Sequence, residues 1–437
     1  MAKFPILITG LDIGTSSIKI VVAQKKAAGE GLDTIYAGQR PSRGVRRGVV
    51  VDVEAAARCV QEVVKDAELA VGRNLSGAYI SVGGSHIFCT PSHGLVSVSR
   101  ADGNISAEDV DRVLQAARTI SLSSNKEIVD VYPREFAVDG ESGVKDAIGM
   151  RGVRLEAEVL IVAGFTPYLR NSDQTVLKGG LEIFNRAPSV IAAAAAVLSD
   201  QQKELGVAIL DIGAGTSSLA VYEEGDLLHM AVLPVGSSNI SNDIAIGAKT
   251  DVETAEHLKT EKGTCVFKGG DKKIYLGAGQ GGEEAKEYSS NAGQPPFSRS
   301  LGGTSRGRDG GAAVFSQRLI SKIIQERVAE IFELANKELK KINRDKKLPA
   351  GIVLTGGGVK LPRIEELARK TFQLTVSVGV PRGFDNIDQD PALAAACGLA
   401  AAGWKEQEDE SGGVSPRFSM NGNGWDKIKK FFKIFIP

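Results

Sequence analysis

Two stretches of the chain share one pattern of apolar and polar positions. Val207-Ala-Ile-Leu-Asp211 is an apolar run that ends on a carboxylate, Ile212-Gly213-Ala-Gly215-Thr216 carries turn glycines, and Ser217-Ser-Leu-Ala-Val-Tyr222 alternates behind them. The pattern predicts a strand, a tight turn and a returning strand. Gly10-Leu-Asp12-Ile-Gly14-Thr15-Ser16-Ser-Ile-Lys-Ile-Val-Val22 has the same grammar. A repeat of this kind, about half a chain apart, predicts two related lobes.

The pattern between and beyond these hairpins predicts alternating helices and strands. Helical spacing runs over Val53–Leu69, and Ala78–Val82 is a strand closed by Gly83-Gly84. Residues 85–163 read as a separate insert. In it Ser106-Ala-Glu-Asp109 forms a capping box before a helix Val110–Ile120, and strands fall at Ile128–Val131, Phe136–Val138 and Leu155–Val162. Helices are expected at Pro167–Leu177 and over the alanine-rich Pro188–Leu198, with a short strand at Glu182–Phe184 between them. The segment Leu227–Pro234 follows the second hairpin, and helices are expected near Ser237–Ile246, at Val252–Lys259 and over Val314–Ile342. Residues 276–313 are Gly-rich and polar without periodicity, which predicts a long flexible loop or disorder. Gly351–Thr355 is a strand running into Gly356-Gly357-Gly358, followed by helix Pro362–Phe372, strand Val376–Val380 and a small-residue helix Pro391–Trp404. Residues 405–424 read as an acidic, then Gly/Ser/Asn-rich linker.

Composition narrows the function class. A chain of 437 residues with 42% hydrophobic and 24% charged residues has room for two to four domains. Its formal net charge of +0 argues against nucleic acid as a partner. Cys59, Cys89, Cys265 and Cys397 form no CxxC pair, which suits a reducing compartment and neither a zinc site nor a disulfide framework. His86, His93, His229 and His257 lack metal-ligand spacing. With no signal-peptide pattern and no long apolar run, the expected membrane contact is peripheral.

Each Asp-Ile-Gly turn suits phosphate. Converging N–H groups and the Thr15, Ser16 and Thr216 hydroxyls can donate to phosphate oxygens, while Gly14, Gly213 and Gly215 let the chain turn tightly. Asp12 and Asp211 can hold a magnesium ion through its waters. Gly356, Gly357 and Gly358 after a strand let backbone lie flat against a base or ribose. One such turn alone is more often just a hairpin; three motifs in this order point to a nucleotide gripped across a cleft. Gly277-Ala-Gly-Gln-Gly-Gly282 fits a dinucleotide fingerprint by letter but lacks the strand and helix that give it meaning, and Gly247-Ala-Lys249-Thr250 is a P-loop fragment without its leading glycine.

These motifs resemble those of the actin, sugar-kinase and heat-shock-chaperone ATPase superfamily. Arg47-Gly-Val-Val-Val-Asp-Val-Glu54, Tyr132-Pro-Arg-Glu-Phe-Ala-Val138 and Met150-Arg-Gly-Val-Arg154 resemble, more narrowly, the FtsA family of actin-like cell-division proteins. The resemblance covers nearly the whole chain. It implies an α/β, two-lobed actin-like ATPase fold with duplicated sheet cores, an inserted α+β subdomain and a C-terminal amphipathic helix. The first lobe would be 1–84 completed by 164–204 and 385–404. The second would be 205–246 completed by 316–384, with a small subdomain at 247–315 that receives the C-terminal peptide of FtsZ. The insert 85–163 would serve self-association and later division proteins. ATP and Mg2+ are the implied cofactors. Glu256 and Lys259 fall where such folds contact ribose and adenine; a solvated helix face is the alternative. Chaperones and rod-shape actins of the superfamily carry Glu-Pro at the start of the connecting helix, and here the pair is Ala187-Pro188. One water-orienting carboxylate is therefore missing, and slow hydrolysis at most is expected.

The tail adds a second chemistry. At 100° per residue Trp425, Ile428, Phe431, Phe432 and Phe435 gather on one arc of a helix 425–437, and Lys429 and Lys433 lie on the other. Such a helix lies among anionic headgroups at the cytoplasmic face of the membrane; docking on its own protein is the alternative. The basic loop Arg40–Arg47 reads as a solvated turn or a contact for acidic partners. Taken together these features predict a tether for the division ring at the septum. A sugar kinase, a chaperone ATPase and an actin-like pilus-assembly adaptor are the competing readings.

Overall fold

The computed structural model describes residues 6–26, 31–120, 122–270, 272–276 and 313–411. The tail helix and its membrane residues Trp425, Ile428, Lys429, Phe431, Phe432, Lys433 and Phe435 lie outside the described residues.

The two expected hairpins form. Ile8–Ile13 pairs antiparallel with Ser17–Lys25, and Val207–Ile212 pairs antiparallel with Ser217–Glu223. Each founds a sheet, and the two sheets share a strand order. In the first, Leu32–Pro41, Ser17–Lys25 and Ile8–Ile13 form an antiparallel meander, followed by the parallel strands Gly77–Val82 and Glu182–Pro188. In the second, Asp226–Leu233, Ser217–Glu223 and Val207–Ile212 are followed by the parallel Ile352–Thr355 and Val376–Val378. Ile8–Ile13 is buried along its whole length, as the mid-sheet strand of a layer covered on both faces must be.

Helix Val53–Val71 covers the first sheet with Ala56, Cys59, Val60, Val63, Val64 and Ala67, residues three and four apart on one face. The Asp52 side chain accepts from the Ala55 N–H at its start, and Gly72 ends it in the left-handed region with φ 74°. Two small-residue helices, Ser189–Val197 and Ala394–Ser411, cross between the sheets. Their backbones touch: a Cβ on Gly398 would stand 1.7 Å from the Ala192 carbonyl oxygen. One on Gly10 would stand 2.1 Å from the Ala396 oxygen.

The insert is a third, antiparallel sheet of Phe88–Ser97, Arg154–Phe165, Lys126–Val138 and Glu141–Val144 in that order, with helix Ala107–Arg118 on one face. The expected capping box is present, Ser106 and Asp109 each bonding the other's backbone.

Several boundaries differ from expectation. Ala313–Ser316 is not the start of the long helix but a strand paired with Lys273–Leu276, and the helix runs Gln317–Lys341. The last helix continues through Ser411, into the stretch expected as linker, because Lys405-Glu-Gln-Glu-Asp-Glu are competent helix formers. It begins with a 3-10 turn at Pro391–Leu393. Phe384–Asp385 joins the edge of the first sheet beside Leu32–Pro41, so Phe384 leaves the second lobe. Arg40 lies in strand Leu32–Pro41, not a loop, and pairs with Asp66 at 2.6 Å. Among the described residues no helix is long and apolar enough to cross a membrane.

Candidate functional site

The hairpin turns are built alike. The Gly14 N–H donates to the Ser17 carbonyl at 3.2 Å, and the Gly213 N–H donates to the Thr216 carbonyl at 2.9 Å. They meet across the gap between the lobes: a Cβ on Gly215 would lie 2.7 Å from Thr15 Oγ1 and 2.8 Å from the Arg47 Cα. Thr15 Oγ1 in turn accepts from the Gly48 N–H at 2.8 Å. Helix Ser237–Ala248 starts against the second turn, its Ser237 and Ser238 N–H groups bonded to the Gly213 and Ala214 carbonyls.

Between the turns lies a cavity of about 620 Å³. Every residue singled out for nucleotide contact lines it: Asp12, Gly14, Thr15, Ser16, Asp211, Gly213, Gly215, Thr216, Glu256, Lys259, Gly356, Gly357 and Gly358. The glycines of the third motif are required by space. Gly356 has φ 88°, and a Cβ there would stand 2.1 Å from Asp211 Oδ1. One on Gly358 would stand 2.5 Å from Ile212 Cγ2.

The two aspartates are electrostatically unlike. Asp12 takes Lys19 Nζ at 3.0 Å and the Ser81 hydroxyl at 2.7 Å. Asp211 is half-buried, and burial, then the Asp12 carboxylate, push its pKa up to about 6 against the pull of Lys19. A multivalent cation bound beside it, or a ligand carrying one, would reverse that penalty. Among the described residues no cluster of three or more His, Cys, Asp or Glu side chains could hold a metal ion. An ion at Asp211 would draw its other ligands from phosphate and water, as magnesium does.

Of the pair expected at the ribose or on a solvated face, Lys259 is buried and Glu256 is exposed. The Lys259 ammonium donates to the Ser241 hydroxyl at 3.0 Å, the Ser237 carbonyl at 3.3 Å and the Glu256 carboxylate at 2.7 Å, while Ser241 also donates to Glu256. Both residues line the cavity.

Lys19, Ser81, Ser189 and Lys360 also line the cavity and were not singled out from the sequence. Lys19 had a signal available: in the hairpin register it sits opposite Asp12. The corresponding partner of Asp211 is Ser218. Ala187 is buried and paired with Ser81 in the sheet.

Comparison with known proteins agrees with this geometry. The model of the cell division protein FtsA family matches residues 208–398, and that of the SHS2 domain inserted in FtsA matches residues 84–163. The chain is 32% identical to cell division protein FtsA of Pseudomonas aeruginosa over 92% of its own length and 90% of that protein. Among solved structures it superposes on a PilM-PilN type IV pilus biogenesis complex with TM-score 0.59 and 17% identity, over 91% of this chain and 98% of that one. Against MreB5 of Spiroplasma citri bound to ADP the TM-score is 0.54 at 13% identity, over 93% and 99%. The two-lobed actin-like fold expected from the sequence is thereby borne out.

Proposed function

This chain belongs to the FtsA family of cell division proteins, and from that membership and the chemistry of the cleft we propose that it is an ATP-binding, actin-like adaptor tying FtsZ filaments of the division ring to the cytoplasmic face of the membrane. The observation that carries the nucleotide half is the convergence of three motifs, far apart in sequence, on one cavity between the lobes. The turn N–H groups and the Thr15, Ser16 and Thr216 hydroxyls hold the phosphates. Asp211, with Asp12 beside it, holds Mg2+ through water, Lys19 faces the phosphates, and Glu256 with Lys259 holds the ribose and base side. Mg2+ supplies charge neutralisation of the triphosphate when bound. With Ala187 in place of a water-orienting carboxylate, nucleotide works chiefly as a switch of conformation and assembly, with slow hydrolysis at most.

Family membership supports the partners. The FtsZ C-terminal peptide would lie on the small subdomain of the second lobe, residues 247–315. The tail would bind anionic lipid through Trp425, Ile428, Phe431, Phe432 and Phe435, with Lys429 and Lys433 toward the headgroups. One short helix is a marginal anchor, so self-assembly through the insert adds avidity. Other division proteins join at the same insert.

The test is co-sedimentation with anionic liposomes, with and without Mg-ATP and the FtsZ peptide, for the full chain and for a variant lacking 425–437. The truncated protein is expected to lose sedimentation while binding Mg-ATP unchanged in calorimetry. Undiminished sedimentation would refute the tether.

A further inference from the structure

Between Val82 and Thr166 the chain leaves the first lobe, builds the insert and returns. Covalently the insert belongs to the first lobe. Its packing also binds it to the second. Strands Phe88–Ser97, Lys126–Val138 and Arg154–Phe165 all contact the second lobe's edge strand Asp226–Leu233. Tyr132 of the insert and Tyr222, Leu227 and Met230 of the second lobe are buried in one continuous apolar cluster.

Polar contacts ring that junction. Lys145 bonds Asp226 and lies 3.4 Å from Glu224. The Cys89 thiol donates to the Met230 carbonyl at 2.9 Å. His229, 3.7 Å from that sulfur, reaches Glu338 of the long helix at 3.2 Å.

The insert's root on the first lobe is at the cavity. Gly83 and Gly84 line it. Gly84 has φ 98°, and its carbonyl accepts the Ile87 N–H at 3.1 Å. A Cβ on Gly48, whose N–H holds Thr15, would stand 2.7 Å from the Gly84 nitrogen. Just beyond, His86 stands edge-on to Tyr168 with ring centres 5.2 Å apart, and Tyr168 to Phe165 at 5.0 Å. Phe165 ends the returning strand, so the insert's entry and exit are clamped together.

We propose that the insert is a strap between the lobes, hinged to the first at Gly83–Ile87 and latched to the second around Lys145 and Cys89. Separating the two hairpin turns must either strain the latch or turn the insert about its glycines. The state of the cleft is thus carried to the insert's outer face, and loosening the latch loosens the cleft. The nucleotide-dependent part rests on the ATP-binding reading above; the mechanical part does not.

Hydrogen exchange on the full chain tests it. Lys145 is half-exposed, so Lys145→Ala leaves the fold intact. Without nucleotide, this variant is expected to exchange faster, by about threefold, the order for one lost half-buried ion pair, in peptides covering 83–87 and 213–216. Lys145→Arg, which keeps the ion pair, should match wild type, as should helix Ile364–Phe372 in both variants. A change confined to residues next to the latch overturns the strap, and so does faster exchange everywhere, which is plain destabilisation. In the second arm Mg-ATP is added and maleimide labelling of Cys89 is timed, the other three cysteines being buried. Binding seen by calorimetry with unchanged labelling also overturns the strap. Absent binding refutes the nucleotide reading instead and leaves the exchange comparison to decide the strap.

Discussion

Asp211→Asn is expected to make the empty protein more stable and the binding site worse. In wild type the folded pKa of Asp211 is about 6, against a usual value of 3.8, because burial and the neighbouring Asp12 disfavour its charge. The folded state therefore binds this proton more tightly than the unfolded chain does. The penalty is fully present above the folded value and vanishes as pH falls through it toward the unfolded one. Two pKa units correspond to about 3 kcal/mol, and asparagine has the same shape without the charge. Urea denaturation at pH 7.5 in the absence of nucleotide and metal should show Asp211→Asn more stable by about 2 kcal/mol. Near pH 4.5 wild-type Asp211 is protonated and the advantage should shrink toward zero. Mg-ATP affinity should move the other way, falling at least about tenfold as the metal loses its uncompensated carboxylate. An asparagine variant no more stable than wild type at pH 7.5, or an advantage independent of pH, would refute the electrostatic account of this residue.

Gly356→Ala places a methyl on a backbone with φ 88° and against Asp211 Oδ1, so both stability, by about 1–2 kcal/mol, and Mg-ATP affinity should fall in melting and calorimetry. His86 acts in the opposite direction from Asp211. Burial depresses its pKa to about 4 and neither ring nitrogen has a partner among the described residues, so protons favour the unfolded chain and stability should drop as pH falls from about 6.5 toward 4. His86→Phe should flatten that acid limb by on the order of 2 kcal/mol, read from denaturation midpoints across pH.

What could be read in the sequence was local. The Asp-Ile-Gly turns announce themselves because strand alternation, carboxylate and glycine lie within a few residues, and each turn closes on its own backbone. Gly356–Gly358 was legible for the same reason. Strand Phe88–Ser97 was not, since Pro91 and Gly94 interrupt its pattern. It is an edge strand of the insert sheet, where proline is tolerated, and Gly94 is there because a Cβ would meet the Val113 carbonyl oxygen at 2.2 Å. The pair Lys273–Leu276 and Ala313–Ser316 depends on a partner across a long Gly-rich stretch, so Val314 and Phe315 passed as helix. Lys19 looked like any outward residue of a strand until the register set it opposite Asp12. The bonds from Ser241 on the neighbouring helix to both Glu256 and Lys259 are contacts between helices, which spacing along one helix does not show.

The match of Lys19 in one hairpin by Ser218 in the other has a consequence for direction. Two like sheets facing one cleft form a nearly two-fold symmetric vessel, which by itself would accept a linear polyanion either way round. A cation against Asp12 and only a hydroxyl opposite Asp211 break that symmetry at its centre. The cleft acquires a head and a tail, and so does any row of molecules whose stacking follows from it.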